Sequence, residues 1–392
     1  MTRVAPTKRI KNPAAPFYAL IISVALLSII GVIMVFSASS IYSLDTKGSA
    51  GAIFIRQLVF LVISIPMAIF LASLSLKSWK SLARFGLIFS IVILIALRIP
   101  GVGKTVNGNT NWISLGVVDV QPSELAKFLV ILWASQMLAT RLNAGFIRIN
   151  VLALIAPGFI VVSGLIMWGR DLGTASVTMA ILGGILFVSG IHLKLIGTLV
   201  ASAAIALAFF IVTAPYRAAR WSVFLDPFDP AQYKNEGWQP AHSLLGLASG
   251  GIFGVGLGGS RQKWGNLPEA HTDFIFAIIG EELGLVGTLF ILALLGTLIY
   301  SILRISISSD DSFTRFACAG IASWIAIQSV LNIGSALSLL PVVGVTLPLV
   351  SYGGSALIAT YMGVGFVASS ALRNPAILAE VKRAVAKRRA HR

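Results

Sequence analysis

Charge is what this sequence has least of. Only 11% of its 392 residues are Asp, Glu, Lys or Arg, while apolar residues reach 57%; a soluble domain carries roughly 25% charge. Mean hydropathy is +0.90, so the composition excludes an ordinary water-soluble domain and points to a chain that crosses a membrane many times. Cysteine is limited to Cys318, inside an apolar run, which excludes a disulfide framework and a thiolate metal site. The four histidines, His192, His242, His271 and His391, are scattered and lack the i, i+4 spacing of a helical zinc pair. Acids are also scarce, 14 against 30 bases, for a net charge of +16. Such a charge suggests nucleic acid when the bases form one patch. Here they are spread through tails and short loops, and no nucleic-acid partner is expected.

What is present is a series of apolar runs. A basic tail, residues 1–16 with Arg3, Lys8, Arg9 and Lys11, precedes the run Phe17 to Ser40, long enough for a hydrocarbon core of about 30 Å at about 1.5 Å per residue. Ser37-Ala38-Ser39 would suit signal-peptide cleavage, but the run exceeds the roughly 7 to 15 apolar residues of such peptides. Further spans are expected at Phe54–Leu74, Leu82–Leu97, Ser123–Thr140, Asn150–Trp168, Leu172–Gly190, Leu193–Thr213, Asp273–Leu303, Phe313–Leu339 and Tyr352–Leu372. The expected fold is therefore an all-α polytopic integral membrane protein with ten transmembrane helices. It forms a single membrane domain over 17–372, with basic tails at 1–16 and 373–392. With both termini cytoplasmic, 19 of the 30 basic residues fall inside, and 11 of the 14 acids fall outside or in the spans, as the positive-inside rule requires. The charge thus reflects topology and attraction to anionic lipid.

Two long connections fall on the outer side, 99–121 and, between helices 7 and 8, the large loop 214–272. Loops of this length carry function or are disordered. Within the second, Ala241 to Gly259 is apolar and glycine-dense, and is expected to lie along or dip into the interface. Two nucleotide-like motifs carry no weight. Gly101-Val102-Gly103-Lys104-Thr105 resembles the end of a phosphate loop, but Arg98 stands where the first glycine belongs. Gly254-Val255-Gly256-Leu257-Gly258-Gly259 lacks a strand and helix around it.

Charged residues inside or beside spans cost a few kcal/mol each on insertion scales and so demand a reason. Glu124 and Lys127 lie i, i+3 at the outer end of the fourth span; they either pair to hold helices together or line a polar cavity. Arg56, Arg170, Asp171 and the Asp273 segment converge on the same outer side, which favours a cavity open there. Asp273 itself is readable as a helix N-cap, with Thr272 in competition, or as a functional acid. Glu281 and Glu282 sit one to two turns deeper and need partners.

The run Pro268-Glu269-Ala270-His271-Thr272-Asp273-Phe274, continuing through Gly280-Glu281-Glu282-Leu283-Gly284, resembles the hallmark of the SEDS proteins, the FtsW/RodA/SpoVE polymerases of bacterial peptidoglycan. The likeness extends through Gln121-Pro122-Ser123-Glu124-Leu125-Ala126-Lys127, Asp171-Leu172-Gly173-Thr174, Gly250 to Gly258, and Leu347-Pro348-Leu349-Val350-Ser351-Tyr352-Gly353-Gly354-Ser355. Gln262-Lys263-Trp264, Ala270 and Gly280 are more similar to the cell-division FtsW branch than to the elongation-type RodA branch. The resemblance implies the SEDS fold and an inverting glycosyltransferase that polymerises lipid II into β-1,4 glycan strands at the outer face of the bacterial cytoplasmic membrane, at the division septum. It implies Asp273 as catalytic base. Substrate contacts are expected from Arg56, Glu124, Lys127, Asp171, Arg217, Arg220, Lys263, His271 and Thr272, with Glu281 and Glu282 as structural polar residues that hold the cavity's cations. It further implies a class B penicillin-binding transpeptidase and other divisome membrane proteins as partners. A divalent cation such as Mg²⁺ would bridge diphosphate oxygens, although the sequence offers no dedicated cage, and no organic cofactor is expected. One departure stands out: Asn111 precedes Trp112 where the family usually has a basic residue, so no contact is assigned there. Competing functions are a lipid II flippase or transporter, which also accounts for charged spans, and a scaffold for division partners. The charges gather at one face and not at the midplane, which favours the polymerase.

Overall fold

The computed structural model describes residues 12–106, 109–114, 116, 119–143, 150–191, 194–195, 197–198, 201, 223 and 226–390. Among them run helices α1 (Ala15–Lys47), α2 (Ala52–Ser73), α3 (Leu76–Ala96), α4 (Pro122–Asn143), α5 (Asn150–Trp168) and α6 (Leu172–Val188). After these come α7 (Trp238–Ser249), α8 (Ile275–Ile307), α9 (Ser312–Ala336), α10 (Gly354–Leu372) and α11 (Pro375–Ala390). Eight of them, α1 to α5 and α8 to α10, are long and apolar enough to cross a membrane. They coincide with eight of the expected spans, and the shorter apolar α6 coincides with the sixth. The seventh, 193–213, lies almost wholly outside the described residues.

Burial sorts the helices into an inner and an outer set. In their most apolar windows α10 and α9 are 78% and 67% buried, against 28% for α2 and α3, whose outward Val62, Phe70, Phe85 and Ile88 stay exposed. In lipid this outward face needs no protein cover, so packing rests on close backbone approach between helices. Small residues in α10 supply it: α10 packs along α2, and a Cβ at Gly365 would come 2.8 Å from the Ala68 carbonyl oxygen.

One element departs from the expected all-α fold, and one stretch expected only as a tail is a helix. The connection between α3 and α4, expected as an outer loop, folds as an antiparallel sheet, β1 (Gly103–Val106), β2 (Asn109–Ser114) and β3 (Asp119–Val120), in that spatial order. Short polar strands joined by Gly and Asn leave no hydropathy signal, yet Thr105 and Thr110 pair across the ladder through their hydroxyls at 2.8 Å. Arg98 anchors the sheet by donating to the Thr110 carbonyl at 2.9 Å. The basic C-terminal tail, in turn, is helical as α11.

The decisive feature near the Asp273 turn is a break in α8. Gly284 has φ 67° and ψ −163°, a left-handed value that favours glycine, and a methyl there would collide with the backbone of Gly254 and Ile252. The glycine-rich loop after α7 fills the gap. Val255 N and Gly256 N donate to the carbonyls of Glu281 and Glu282 at 2.9 and 3.0 Å; Leu285 N and Val286 N donate to Gly251 O and Ile252 O at 2.9 and 3.1 Å. Irregular backbone at membrane depth is tolerated where such bonds replace the missing helical ones.

Candidate functional site

The site is built on the turn that leads into α8. Glu269, at φ 56°, bends the chain so that its carbonyl accepts from the N–H groups of Thr272, Asp273 and Phe274 at 3.1, 3.1 and 3.2 Å. The α8 N-cap position falls on Phe274 and has no side-chain cap, so neither Asp273 nor Thr272 caps the helix. The Thr272 hydroxyl turns back to Glu269, donating to its carboxylate at 2.8 Å. Asp273 is left half-buried, and among the described residues its carboxylate has no hydrogen bond or ion pair. Burial, with the nearby charges of Glu269 and Asp171, pushes its pKa up to about 7, the value at which a carboxylate accepts a proton usefully near neutral pH.

Aromatic rings flank the residue before Asp273, and a cation lies beyond them. The His271 ring is buried between Tyr42 and Tyr352, with centroids 5.4 and 5.6 Å away. Burial lowers its pKa against the opposing pull of Glu269, which keeps the imidazole neutral at pH 7. Arg56 lies beside Tyr352 and Asp119. Burial raises the Tyr352 phenol while Arg56 pulls it down. The hydrogen bond from Lys104 holds Asp119 below the usual carboxylate range, and Arg56 adds to that. Arg56 is exposed and makes no ion pair among the described residues, so its charge is open to a ligand. Asp171 caps α6, accepting from Thr174 N at 2.9 Å, and takes the Gln121 amide on its other oxygen at 2.9 Å.

The family model described as cell cycle protein, for FtsW, RodA and SpoVE, matches residues 18–374. The chain belongs to the FtsW/RodA/SpoVE family. It is 37% identical over 371 residues to the Mycobacterium tuberculosis protein named "Probable peptidoglycan glycosyltransferase FtsW", covering 95% of this chain and 70% of that one. It is also 37% identical over 362 residues to stage V sporulation protein E of Bacillus subtilis, covering 90% and 95%. Among solved structures it is similar to a chain from a study of polymerization and crosslinking by a peptidoglycan synthase complex, with TM-score 0.75, 29% identity and coverage of 91% and 98%. Rod shape determining protein RodA of Thermus thermophilus matches with TM-score 0.68 and 28% identity, over 91% and 97%.

In this FtsW/RodA/SpoVE chain several expected ligand contacts are instead committed inside the protein. Lys127, 1% exposed, donates to Glu124 at 2.8 Å and to Gln328 at 2.9 Å, and lies 5.2 Å from the Trp324 ring centroid. Lys263, 7% exposed, pairs with Glu282 at 3.4 Å. Neither ammonium is open to a ligand, because desolvating it required an internal partner. Glu282 also accepts from Ser37 of α1 at 2.7 Å. Among the described residues Glu281 holds no cation: it accepts from the Ser260 hydroxyl and, at 2.9 and 3.4 Å, from the N–H groups of Arg261 and Gln262. Arg217 and Arg220 lie outside the described residues. The Asn332 amide, which touches the Asp273 backbone at 2.8 Å, escaped the sequence reading. The only signal was two side-chain amides, Gln328 and Asn332, spaced i, i+4 in an apolar span. Among the described residues no three His, Cys, Asp or Glu side chains group as a metal site.

Proposed function

We propose that the chain is an inverting peptidoglycan glycosyltransferase that polymerises lipid II at the outer face of the membrane, with Asp273 as its general base. The observation that carries this reading is a half-buried carboxylate without an internal partner among the described residues, whose acidity burial and the charges of Glu269 and Asp171 weaken. The named activity of the relatives supports it. Asp273 takes the proton of the acceptor GlcNAc 4-hydroxyl as that oxygen attacks C1 of the donor MurNAc. The C1 bond to undecaprenyl diphosphate breaks with inversion from α to β, and the diphosphate leaves with the electron pair. A single displacement needs one base and no carboxylate nucleophile. Arg56 faces the diphosphate as a bidentate donor, and Arg217 and Arg220 remain candidates for the same anion. His271, Thr272 and Asp171 shape the cavity wall. Glu124 with Lys127, and Glu282 with Lys263, support that wall from behind.

The described residues do not form a cage for a divalent cation, and no step is derived through one. Mg²⁺ would act as counter-ion to the diphosphate, and loss of polymerisation in EDTA tests that role. A class B penicillin-binding transpeptidase is the proposed partner, supported by the synthase-complex relative; the naming of the FtsW relatives supports a septal role, and the placing of the basic residues supports cytoplasmic termini. Depletion that yields filaments supports division; rounding overturns it in favour of elongation. The central test is polymerisation of lipid II by the purified Asp273→Asn protein with its partner. Loss of product with retained lipid II binding is expected; retained polymerisation overturns the reading.

A further inference from the structure

Three successive carbonyls before α8 are each captured by a donor from elsewhere. His271 O accepts from Tyr352 N at 2.9 Å, Thr272 O from the Ser351 hydroxyl at 2.6 Å, and Asp273 O from the Asn332 side-chain amide at 2.8 Å. The first two donors belong to the turn that opens α10. The third comes from α9, and the second proton of the same amide goes to Val345 O at 2.7 Å. Gln328, one turn earlier, repeats the pattern: it donates to Thr346 O at 2.9 Å while its oxygen accepts from Lys127 and Trp324 at 2.9 and 2.7 Å. Ser335 donates to Pro341 O at 3.0 Å. Gln328, Asn332 and Ser335 share one face of α9 by their i, i+4, i+7 spacing and hold the segment 341–346 as a rail. That rail passes beside the base, because a Cβ at Gly344 would lie 3.7 Å from Asp273 Oδ2.

We propose that Asn332 is the positioning residue of Asp273: one amide fixes both the backbone of the base and the segment beside its carboxylate, and so sets the carboxylate's direction and the space for the acceptor hydroxyl. The proposal rests on Asp273 being the base. An amide is suited to this because its two N–H groups bridge two carbonyls while carrying no charge. A carboxylate of the same shape would repel both. The Asn332 oxygen is buried and has no partner among the described residues, a cost that a side chain serving only to join helices has no reason to bear. The titratable neighbours of Asp273 are Glu269 on the preceding turn and Asp171 at the start of α6. Freeing the 343–345 segment lets water reach the carboxylate and returns it toward its ordinary acidity.

The test uses the full chain with its partner and lipid II, comparing Asn332→Leu and Asn332→Ser with Ser329→Ala, a buried α9 hydroxyl that donates back to Ile325 O of its own helix at 2.7 Å and takes no part in the rail. The Asn332 variants are expected to lose about 10- to 100-fold in kcat with KM within about twofold, since small misplacement of a reacting group costs that much. Their acid limb should move to lower pH. Ser329→Ala should keep both kcat and acid limb. Asn332 variants that melt lower but keep wild-type kcat and acid limb in the folded fraction overturn the proposal. If Asn332→Leu fails to fold, Asn332→Ser, which retains a single donor, carries the same reading. Asp273→Asn is run alongside: an active Asp273→Asn protein overturns the base and the positioning role together, whereas an inactive one beside fully active Asn332 variants overturns the positioning role alone.

Discussion

Asp273 and the pair Glu281–Glu282 stand on the same stretch of chain and meet opposite fates. The pair is 1% and 0% exposed, and its oxygens are taken by hydroxyls, backbone N–H groups and Lys263. Asp273 keeps a window to solvent and an unspent carboxylate. Both arrangements are costly in a membrane, and what differs is where the compensation lies. The glutamates are compensated internally and give rigidity in return. Asp273 has no such internal partner among the described residues, which is the arrangement the proposed general base requires.

The largest test of that contrast is Asp273→Asn, expected to cost roughly 10²- to 10⁴-fold in polymerisation as a lost general base. Its melting temperature at pH 8 should stay level or rise. The folded value of about 7 lies above the ordinary 3.8, so ionisation opposes folding once pH passes the ordinary value, and the amide removes that opposition. Glu282→Ala should do the reverse, destabilising by about 3–5 kcal/mol because Lys263 is left buried and unpaired; thermal unfolding in detergent reads it. A milder handle is pH: kcat should fall below about pH 7 and approach tenfold per unit as Asp273 takes up its proton. A flat profile from pH 5.5 to 8 would break the assignment. The smallest effect belongs to Asp311, a satisfied acid at the start of α9 that caps Thr314 N at 2.9 Å and pairs with Lys80 at 2.6 Å. Asp311→Ala should cost about 1 kcal/mol through the lost cap, the part-exposed ion pair adding little, and should leave kcat untouched.

Hydropathy made the spans legible because it reports transfer into lipid, which each helix undergoes largely by itself. Asn150–Trp168 coincides with α5, and the Asp273 turn was conspicuous as charge at a span's edge. What escaped depends on partners distant in sequence. The i, i+3 spacing of Glu124 and Lys127 left open the pair that the structure shows, whereas Lys263 read as an open cation because nothing local marks its enclosure. Glu281 read as a cation holder, yet its partners are backbone N–H groups of residues 261 and 262, which every sequence possesses. Asn332 was invisible for a related reason: an amide in a helix carries no charge to question. The sheet at 103–120 escaped because strands this short and polar depend on pairing and not on pattern.

The gap at Gly284 divides α8 into two mechanical parts. Its backbone cannot satisfy itself across the break, and the bonds it lacks come from residues 251–256. The first part of α8, which carries Glu281 and Glu282 and follows directly on Asp273, therefore takes its position from that loop as much as from the rest of its own helix.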